Sequence, residues 1–325
     1  VIRGLYTSAS GMLALQKRQE SLANNLANVN TPGYKQDVGV MRAFPEQLIS
    51  RIRDQEGPNI QGYPNLNEQA AVIGRLNSGV YMSEALPMFT QGDIAETRNP
   101  FDVALLDNLQ PDQDGNERRL FYSVARIEDL TQPANADDIR YTRNGNWSVN
   151  ADGYLVTPDG YYVLDSQNQA IRVNDVNDPV AGIHAGQGLK ISRLGELQYE
   201  DPATGTLENL PNNQRLGLFV VTDPMQLVRE GTNIFRWEGD GEVESLDVAE
   251  ANDQAAWAAG EYGAPRIAGR YGTQQGWIER ANVDPMQTMT GMMSALRAYE
   301  ANQRVITTID GTLDKAANEI GRVNG

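Results

Sequence analysis

Ser21-Leu22-Ala23-Asn24-Asn25-Leu26-Ala27-Asn28-Val29-Asn30-Thr31-Pro32-Gly33-Tyr34-Lys35 closes an amphipathic helix and turns the chain out of it. Upstream, positions spaced by three or four run Leu5, Ser8, Met12, Leu15, Gln19, Leu22, Leu26 and Val29, and six of the eight are apolar. That heptad stripe predicts a helix of roughly 40 Å. Pro32 disfavours helix at Thr31, and Gly33 takes φ > 0 readily, so the helix must stop by this point. Gly4 to Gln16 carries no charge, and Ser8, Ala9, Ser10, Gly11 and Ala14 are small. The ordinary reading is a buried helix. The sharper one is a helix packed on several sides by neighbouring copies.

A second amphipathic helix is expected from about Asp284 to Val323. Asp284 is placed to cap it and Pro285 suits the first turn. Its stripe runs Met289, Met292, Leu296, Tyr299, Gln303, Ile306, Asp310, Leu313, Ala317 and Ile320. Pro285 to Leu296 is again uncharged on every face. The two ends therefore read as one helical unit split in sequence.

Between them the pattern changes from period 3.6 to short apolar runs. Strand-like segments include Val80–Met82, Asp102–Leu106, Leu120–Ile127, Tyr141–Arg143, Tyr162–Leu164, Leu197–Tyr199, Leu216–Thr222 and Ile234–Trp237. Asn144-Gly145, Asp152-Gly153 and Asp159-Gly160 supply turn chemistry for tight hairpins. The spacing predicts a largely antiparallel β domain. Gly39 to Arg53 reads as a short helix or an extended arm. Residues 54–70 form a Pro/Gly-rich connection, and Gly239 to Gly276 a second polar, Gly-rich stretch.

The fold expected is α+β: a mainly antiparallel β centre, with terminal helices pairing as a discontinuous coiled-coil-like domain. Its parts would be 1–35 with 280–325, a connector over 36–71, and a β-rich domain over 72–279.

Composition excludes much chemistry. The chain has 43 acidic and 27 basic residues, a net charge of −16, against the basic footprint that nucleic acid or anionic lipid requires. Residues 1–35 carry +3 and residues 277–325 carry −1, so 36–276 holds −18, the composition of a solvated, self-repelling surface. Without cysteine there is no disulfide and no thiolate site. No run approaches a membrane span, and the opening residues carry no apolar signal-peptide core.

His184 is the single histidine and reads as a surface-loop residue, which leaves no material for a Ser-His-Asp nucleophile system or a multi-histidine zinc site. Asp112-Gln113-Asp114-Gly115-Asn116-Glu117 resembles half a calcium loop, but its Gly comes too early and Ser123 stands where the closing Glu belongs. The aromatics Trp147, Tyr154, Tyr161, Tyr162, Phe219, Phe235 and Trp237 suit a β core better than a sugar platform. No catalytic, cofactor-binding or metal-binding residue is expected.

Ala23 to Lys35 resembles the N-terminal signature of the bacterial flagellar rod and hook family nearly letter for letter, with Ile2-Arg3-Gly4-Leu5-Tyr6-Thr7 similar to its opening. Glu279-Arg280-Ala281-Asn282-Val283-Asp284-Pro285 and Leu296-Arg297-Ala298-Tyr299-Glu300-Ala301-Asn302 resemble its C-terminal segment. Thr90-Gln91-Gly92-Asp93, Asn99-Pro100-Phe101-Asp102-Val103-Ala104-Leu105 and Tyr141-Thr142-Arg143-Asn144-Gly145 agree in the middle. Arg42 to Glu46 and Leu48 to Ile52 are similar to a rod paralogue of Gram-positive bacteria. Asp107 to Arg119 and residues 239–276 depart from the pattern.

The resemblance implies a structural rod subunit of the basal body, outside the cytoplasmic membrane, exported by the flagellar type III apparatus and polymerising helically as a torque-transmitting shaft. Partners implied are copies of itself, other rod and hook subunits and the export apparatus, with no nucleic acid and no bilayer insertion. The expected assembly residues are Leu5, Met12, Leu15, Leu22, Leu26 and Val29 with Met289, Met292, Leu296, Tyr299, Ile306 and Leu313. The motif residues are Asn24, Asn25, Asn28, Asn30, Pro32 and Gly33. In a monomer such stripes are costly to expose, so the ends are expected to order on assembly. Alternatives are a hook or other axial subunit, or a glycan-binding or glycan-cleaving protein.

Overall fold

The computed structural model describes residues 2–51, 71–112, 114–173, 188–200, 206–210, 214–239, 243–260 and 264–320. His184 and the whole 54–70 connection lie outside the described residues. The fold is α+β, as the periodicities predict: two long terminal helices enclose, in sequence, an antiparallel β region.

The chain forms two compact units. One comprises Val1–Leu26, Asp37–Leu86 and Pro285–Gly325, the other Ala27–Gln36 and Pro87–Asp284. These limits differ from the expected 1–35, 36–71 and 72–279, because Tyr34 and Lys35 bury their side chains in the β-rich unit and residues 37–86 belong with the helices.

In the first unit, α1 spans Ile2–Ala27 and ends before the expected Val29, which lies in the turn that follows. The partner helix, α3, starts at Pro285 and runs to Lys315, with a wider π-type turn over Ala316–Ile320. Pro at the first position costs nothing, since that N–H has no helical partner anyway. The helices run antiparallel. A Cβ at Gly4 would stand 3.2 Å from Ile309, one at Gly11 3.1 Å from Asn302, and one at Gly291 3.4 Å from Leu22. Seven steps up α1 match seven down α3, and the next eleven match eleven.

Gly39 to Arg53, which reads as a short helix or an extended arm, is extended over its described residues: Asp37–Ala43 pairs with Val80–Pro87, and Gln47–Arg51 pairs with Ala71–Leu76.

The second unit is organised on the strand Arg118–Ala125, which takes Leu218–Thr222 on one side and Ile139–Thr142 on the other. Its alternation is apolar on both faces. Leu120, Tyr122 and Val124 enter one buried cluster with Leu105, Trp147, Leu155 and Ile171. Phe121 and Ala125 enter a second with Phe89, Phe219 and Phe235. Both faces of this strand are thus core, as in a sheet covered on both sides. A separate pair joins Val103–Asp107 to Tyr271–Gln275.

The polar stretch 239–276 contains a helix that the sequence reading did not anticipate, α2, Leu246–Ala258. Alanine supplies its helix propensity but leaves only a faint apolar period, since Leu246, Ala249 and Asp253 are its buried residues. Asp253 is held there by a specific task, accepting the N–H of Arg266 at 2.7 Å and of Ile267 at 3.1 Å. The glycine turns split in kind. Gly153 and Gly160 take φ of 85° and 79°. Gly145 does not take a positive φ; a Cβ there would lie 1.7 Å from the Val103 carbonyl oxygen, so close backbone approach requires the glycine.

Candidate assembly surface

The helix pair buries small residues and leaves large ones outside. On α1 the buried positions are Ser8, Ala14 and Asn25; on α3 they are Thr288 and Ala295. Glycines at 4, 11 and 291 leave room for the ends of the Ile309, Asn302 and Leu22 side chains, which reach across from the opposite helix. Leu5, Met12, Leu15, Leu22, Leu26 and Val29 are half-buried, as are Met292, Tyr299 and Ile306. Met289, Leu296 and Leu313 are exposed, at 48%, 44% and 38%. Periodicity located the helices, but a hydrophobic stripe did not show that glycines on each would receive side-chain ends from the other.

What remains outside is apolar. Tyr6 and Leu13, one heptad apart on α1, are each 65% exposed. On α3, Met286, Met289, Met293 and Leu296 follow steps of three, four and three and form one exposed stripe.

The motif residues do separate work. Asn25 exchanges two hydrogen bonds with the backbone of Asp37: its Nδ2 donates to the Asp37 carbonyl, and the Asp37 N–H donates to its Oδ1, both at 2.8 Å. One amide side chain thereby fixes the start of the 37–43 strand within the helical unit. Asn28 shapes the turn, its carbonyl accepting from the Thr31 N–H at 3.0 Å and its Oδ1 from the Thr31 hydroxyl at 3.2 Å. Asn24 and Asn30 lie exposed on either side.

From Ala27 on, the motif belongs to the second unit. The Pro32 carbonyl accepts from Asn233 at 3.3 Å, and the Gly33 N–H donates to the Glu279 carbonyl at 2.8 Å. Gly33 has φ 68°, and a Cβ on it would stand 2.5 Å from the Asn144 nitrogen. No other residue type fits both conditions. Tyr34 is buried under the Arg229 guanidinium, 4.7 Å from the ring centre.

Lys35 completes a buried ionic quartet that the sequence reading did not identify. Its Nζ donates to Glu279 Oε1 at 2.6 Å and to the Thr90 carbonyl at 2.7 Å. Arg143 donates through Nε to the other Glu279 oxygen at 3.0 Å and through a terminal nitrogen to Asp107 at 3.1 Å and the Leu120 carbonyl at 2.7 Å. All four side chains are at most 3% exposed. Burial alone would raise the Glu279 carboxyl, but Arg143 and Lys35 outweigh it and hold it below the usual carboxylate range. Burial, and then Arg143, push the Lys35 ammonium down to about 8 against the pull of Glu279. Asn282 gathers neighbouring segments: its Oδ1 accepts from the Gln36 N–H at 2.7 Å and its Nδ2 donates to the Met88 carbonyl at 2.7 Å.

This constellation is structural in character. Each charge is consumed by a neighbour. In the 112–117 loop the Asp112 carboxylate is used internally, accepting from the Asn116 N–H at 2.8 Å and its amide at 3.1 Å. Among the described residues no group of His, Asp or Glu is arranged to hold a metal, and no helix is long and apolar enough to cross a membrane.

Three family models match the chain. Residues 5–35 match the flagella basal body rod protein model, 130–199 the D1 domain of the flagellar hook protein FlgE/F/G, and 274–319 the C-terminal model of the flagellar basal body rod FlgEFG proteins. The chain is 34% identical over 325 residues to the flagellar hook-basal body complex protein FlhO of Bacillus subtilis, covering 99% of this chain and 100% of that one. It is 29% identical to the flagellar basal-body rod protein FlgG of Agrobacterium fabrum, over 95% and 96% of the two chains. The B. subtilis FlgG shares 27% over 98% and 99%. Both ends that carry the helices, and the β-rich region between, therefore have counterparts in one set of proteins. The chain belongs to the flagellar basal-body rod and hook protein family, as a structural subunit of the basal-body rod.

Proposed function

We propose that copies of this chain polymerise helically through the exposed faces of α1 and α3 into a torque-transmitting shaft. They do so together with other flagellar rod and hook subunits, after delivery by the flagellar export apparatus, and the protein has no catalytic role. The observation that carries the reading is the apolar surface left exposed on both helices, Met286, Met289, Met293 and Leu296 on α3 and Tyr6 and Leu13 on α1. Each such side chain gains about 1.5–3 kcal/mol when it leaves water, a gain available only from a neighbour. Glutamate at both positions in Leu13→Glu/Met293→Glu places charge on the exposed surface of each helix while leaving the glycine contacts between them intact. Sedimentation velocity should show the native chain polymerising and the double variant remaining monomeric, with unchanged circular dichroism. Polymers of equal size from both would end the reading. Removal of residues 1–26, which spares Lys35, is expected to abolish polymerisation and leave the second unit folded.

A further inference from the structure

Beside the strand pair Val103–Asp107 and Tyr271–Gln275, the β-rich unit carries an open cleft of about 590 Å³. Its lining includes Asp107 and Asn108, Arg193 in the turn between Leu189–Ile191 and Leu197–Glu200, and Pro265 and Arg270 ahead of the second strand. Both arginines are set in place by backbone and not by acids. The Arg193 carbonyl accepts from the Thr273 N–H at 2.9 Å, and the Thr273 hydroxyl donates to the Ser192 carbonyl at 2.7 Å, which fastens the turn to the strand. A Cβ at Gly272 would stand 3.1 Å from both Cγ and Nε of Arg193, so the glycine lets the arginine stem lie along that strand. The Arg270 carbonyl accepts from the Asn108 N–H at 2.9 Å, and its Nε donates to the Pro265 carbonyl at 3.2 Å.

Neither guanidinium meets a carboxylate among the described residues. The Arg193 side chain makes no hydrogen bond there at all. With the Gln110 carboxamide turned to satisfy both groups, its oxygen lies 3.3 and 3.2 Å from the terminal nitrogens of Arg270, which still leaves each of them a donor hydrogen. Asp107, the acid of the cleft, is spent elsewhere: it accepts from Arg143 at 3.1 Å and from the Leu120 and Leu109 N–H groups at 2.9 and 3.3 Å. Two like charges thus share one cleft with no counter-charge, on a chain whose acids outnumber its bases by 43 to 27.

We infer that this cleft is a carboxylate-binding site, in which Arg193 and Arg270 hold an acidic side chain presented by a second copy of this chain. The guanidinium fork matches a carboxylate through paired N–H donors, and Asn108 adds an exposed amide at the same cleft. The chain itself supplies the ligand chemistry: Asp152 and Asp159 stand exposed at hairpin turns and form no ion pair among the described residues. The source of the carboxylate, unlike the site, rests on the reading that copies assemble.

The site is tested with citrate as a free carboxylate probe, titrated at constant ionic strength into the full chain where it sediments as a monomer. Arginine Nε–H signals followed by NMR should show two side chains moving saturably. Arg193→Gln, which removes a side chain free of hydrogen bonds in the fold, should weaken binding about tenfold, the loss of one charge-assisted contact. Arg193→Lys/Arg270→Lys keeps both charges without the forks and should bind more weakly than the native chain. Shifts that never saturate, or that are equal in native chain and Arg193→Gln, overturn the site. The source is tested by the critical concentration for polymerisation, which Arg193→Gln or excess citrate should each raise about tenfold, without adding to one another. Citrate binding with an unchanged critical concentration in Arg193→Gln overturns the second copy as the source and makes the ligand a free polycarboxylate. A native chain that never polymerises overturns the assembly reading and that source together, while the citrate titration still decides the site.

Discussion

Arg143 holds the centre of the quartet, and its removal is the most informative single change. Arg143→Met keeps most of the aliphatic volume and deletes three hydrogen bonds: to Glu279 at 3.0 Å, Asp107 at 3.1 Å and the Leu120 carbonyl at 2.7 Å. Two buried carboxylates then share one ammonium, an uncompensated charge in a site at most 3% exposed. Breaking a buried pair from one side costs about 3–5 kcal/mol. All four tryptophans, Trp147, Trp237, Trp257 and Trp277, lie in the β-rich unit, so their fluorescence reports its unfolding and not that of the helices. With a urea slope of about 3 kcal/mol/M for a unit of about 200 residues, the midpoint should fall by about 1–1.7 M. Arg143→Lys should lose part of this, since one ammonium cannot bridge both carboxylates and the carbonyl. Arg143→Met/Glu279→Gln leaves Lys35 opposite Asp107 and restores neutrality, so its loss should be clearly smaller than the sum of the single losses. A midpoint within about 0.3 M of native for Arg143→Met, or additive losses in the double variant, would refute the account of a coupled quartet.

Lys35 gives a pH dependence of defined sign. Its folded value of about 8 lies below the ordinary lysine value of 10.5, so between these the unfolded chain holds the extra proton and stability rises with pH. Tyr122, raised by burial, contributes stability below about 10 that is lost at higher pH, which closes the window from above. Urea midpoints should therefore climb from pH 8 to 10, and Lys35→Met should flatten the climb; a climb unchanged in the variant contradicts the assignment. Gly33→Ala combines a φ of 68° with a Cβ 2.5 Å from the Asn144 backbone nitrogen, which no rotamer relieves. It should cost at least 2 kcal/mol, roughly the sum of a strained backbone and a local shift, and lower the thermal midpoint of the β-rich unit. A midpoint shift of under about 1 °C would show that the turn relaxes freely.

The parts of this fold that depend on local pattern were legible in the sequence. Leu5 to Leu26 and Met289 to Leu313 keep a helical period, and Pro285 and Pro32 punctuate it. Arg118–Ala125 and Leu218–Thr222 are apolar runs with aromatic and β-branched residues. The quartet was not legible, because Lys35 and Glu279 are 244 positions apart and each is flanked by residues that a solvated charge would tolerate equally well. Nothing local marks a charge as buried; only the fold assigns its partners. The helix α2 was hidden because alanine satisfies a helix without marking a face. The contact between α1 and α3 escaped for a related reason: Gly4, Gly11 and Gly291 read as weak helix formers when taken singly, and as notches for Ile309, Asn302 and Leu22 only once those partners are known.

The spacing of that contact also bears on how a filament of such chains would acquire its twist. Gly4, Gly11 and Leu22 touch Ile309, Asn302 and Gly291 at intervals of seven and then eleven residues. Together these make eighteen positions, or about five turns at 3.6 residues each, so two straight rods can keep facing one another along this length. A strict heptad would drift by about 20° per repeat and wrap the pair left-handedly. The pair thus stores no superhelical bias of its own. Any handedness in a polymer would be set by the offset from one copy to the next, and neighbours of different sequence could adjust it without rebuilding the helices.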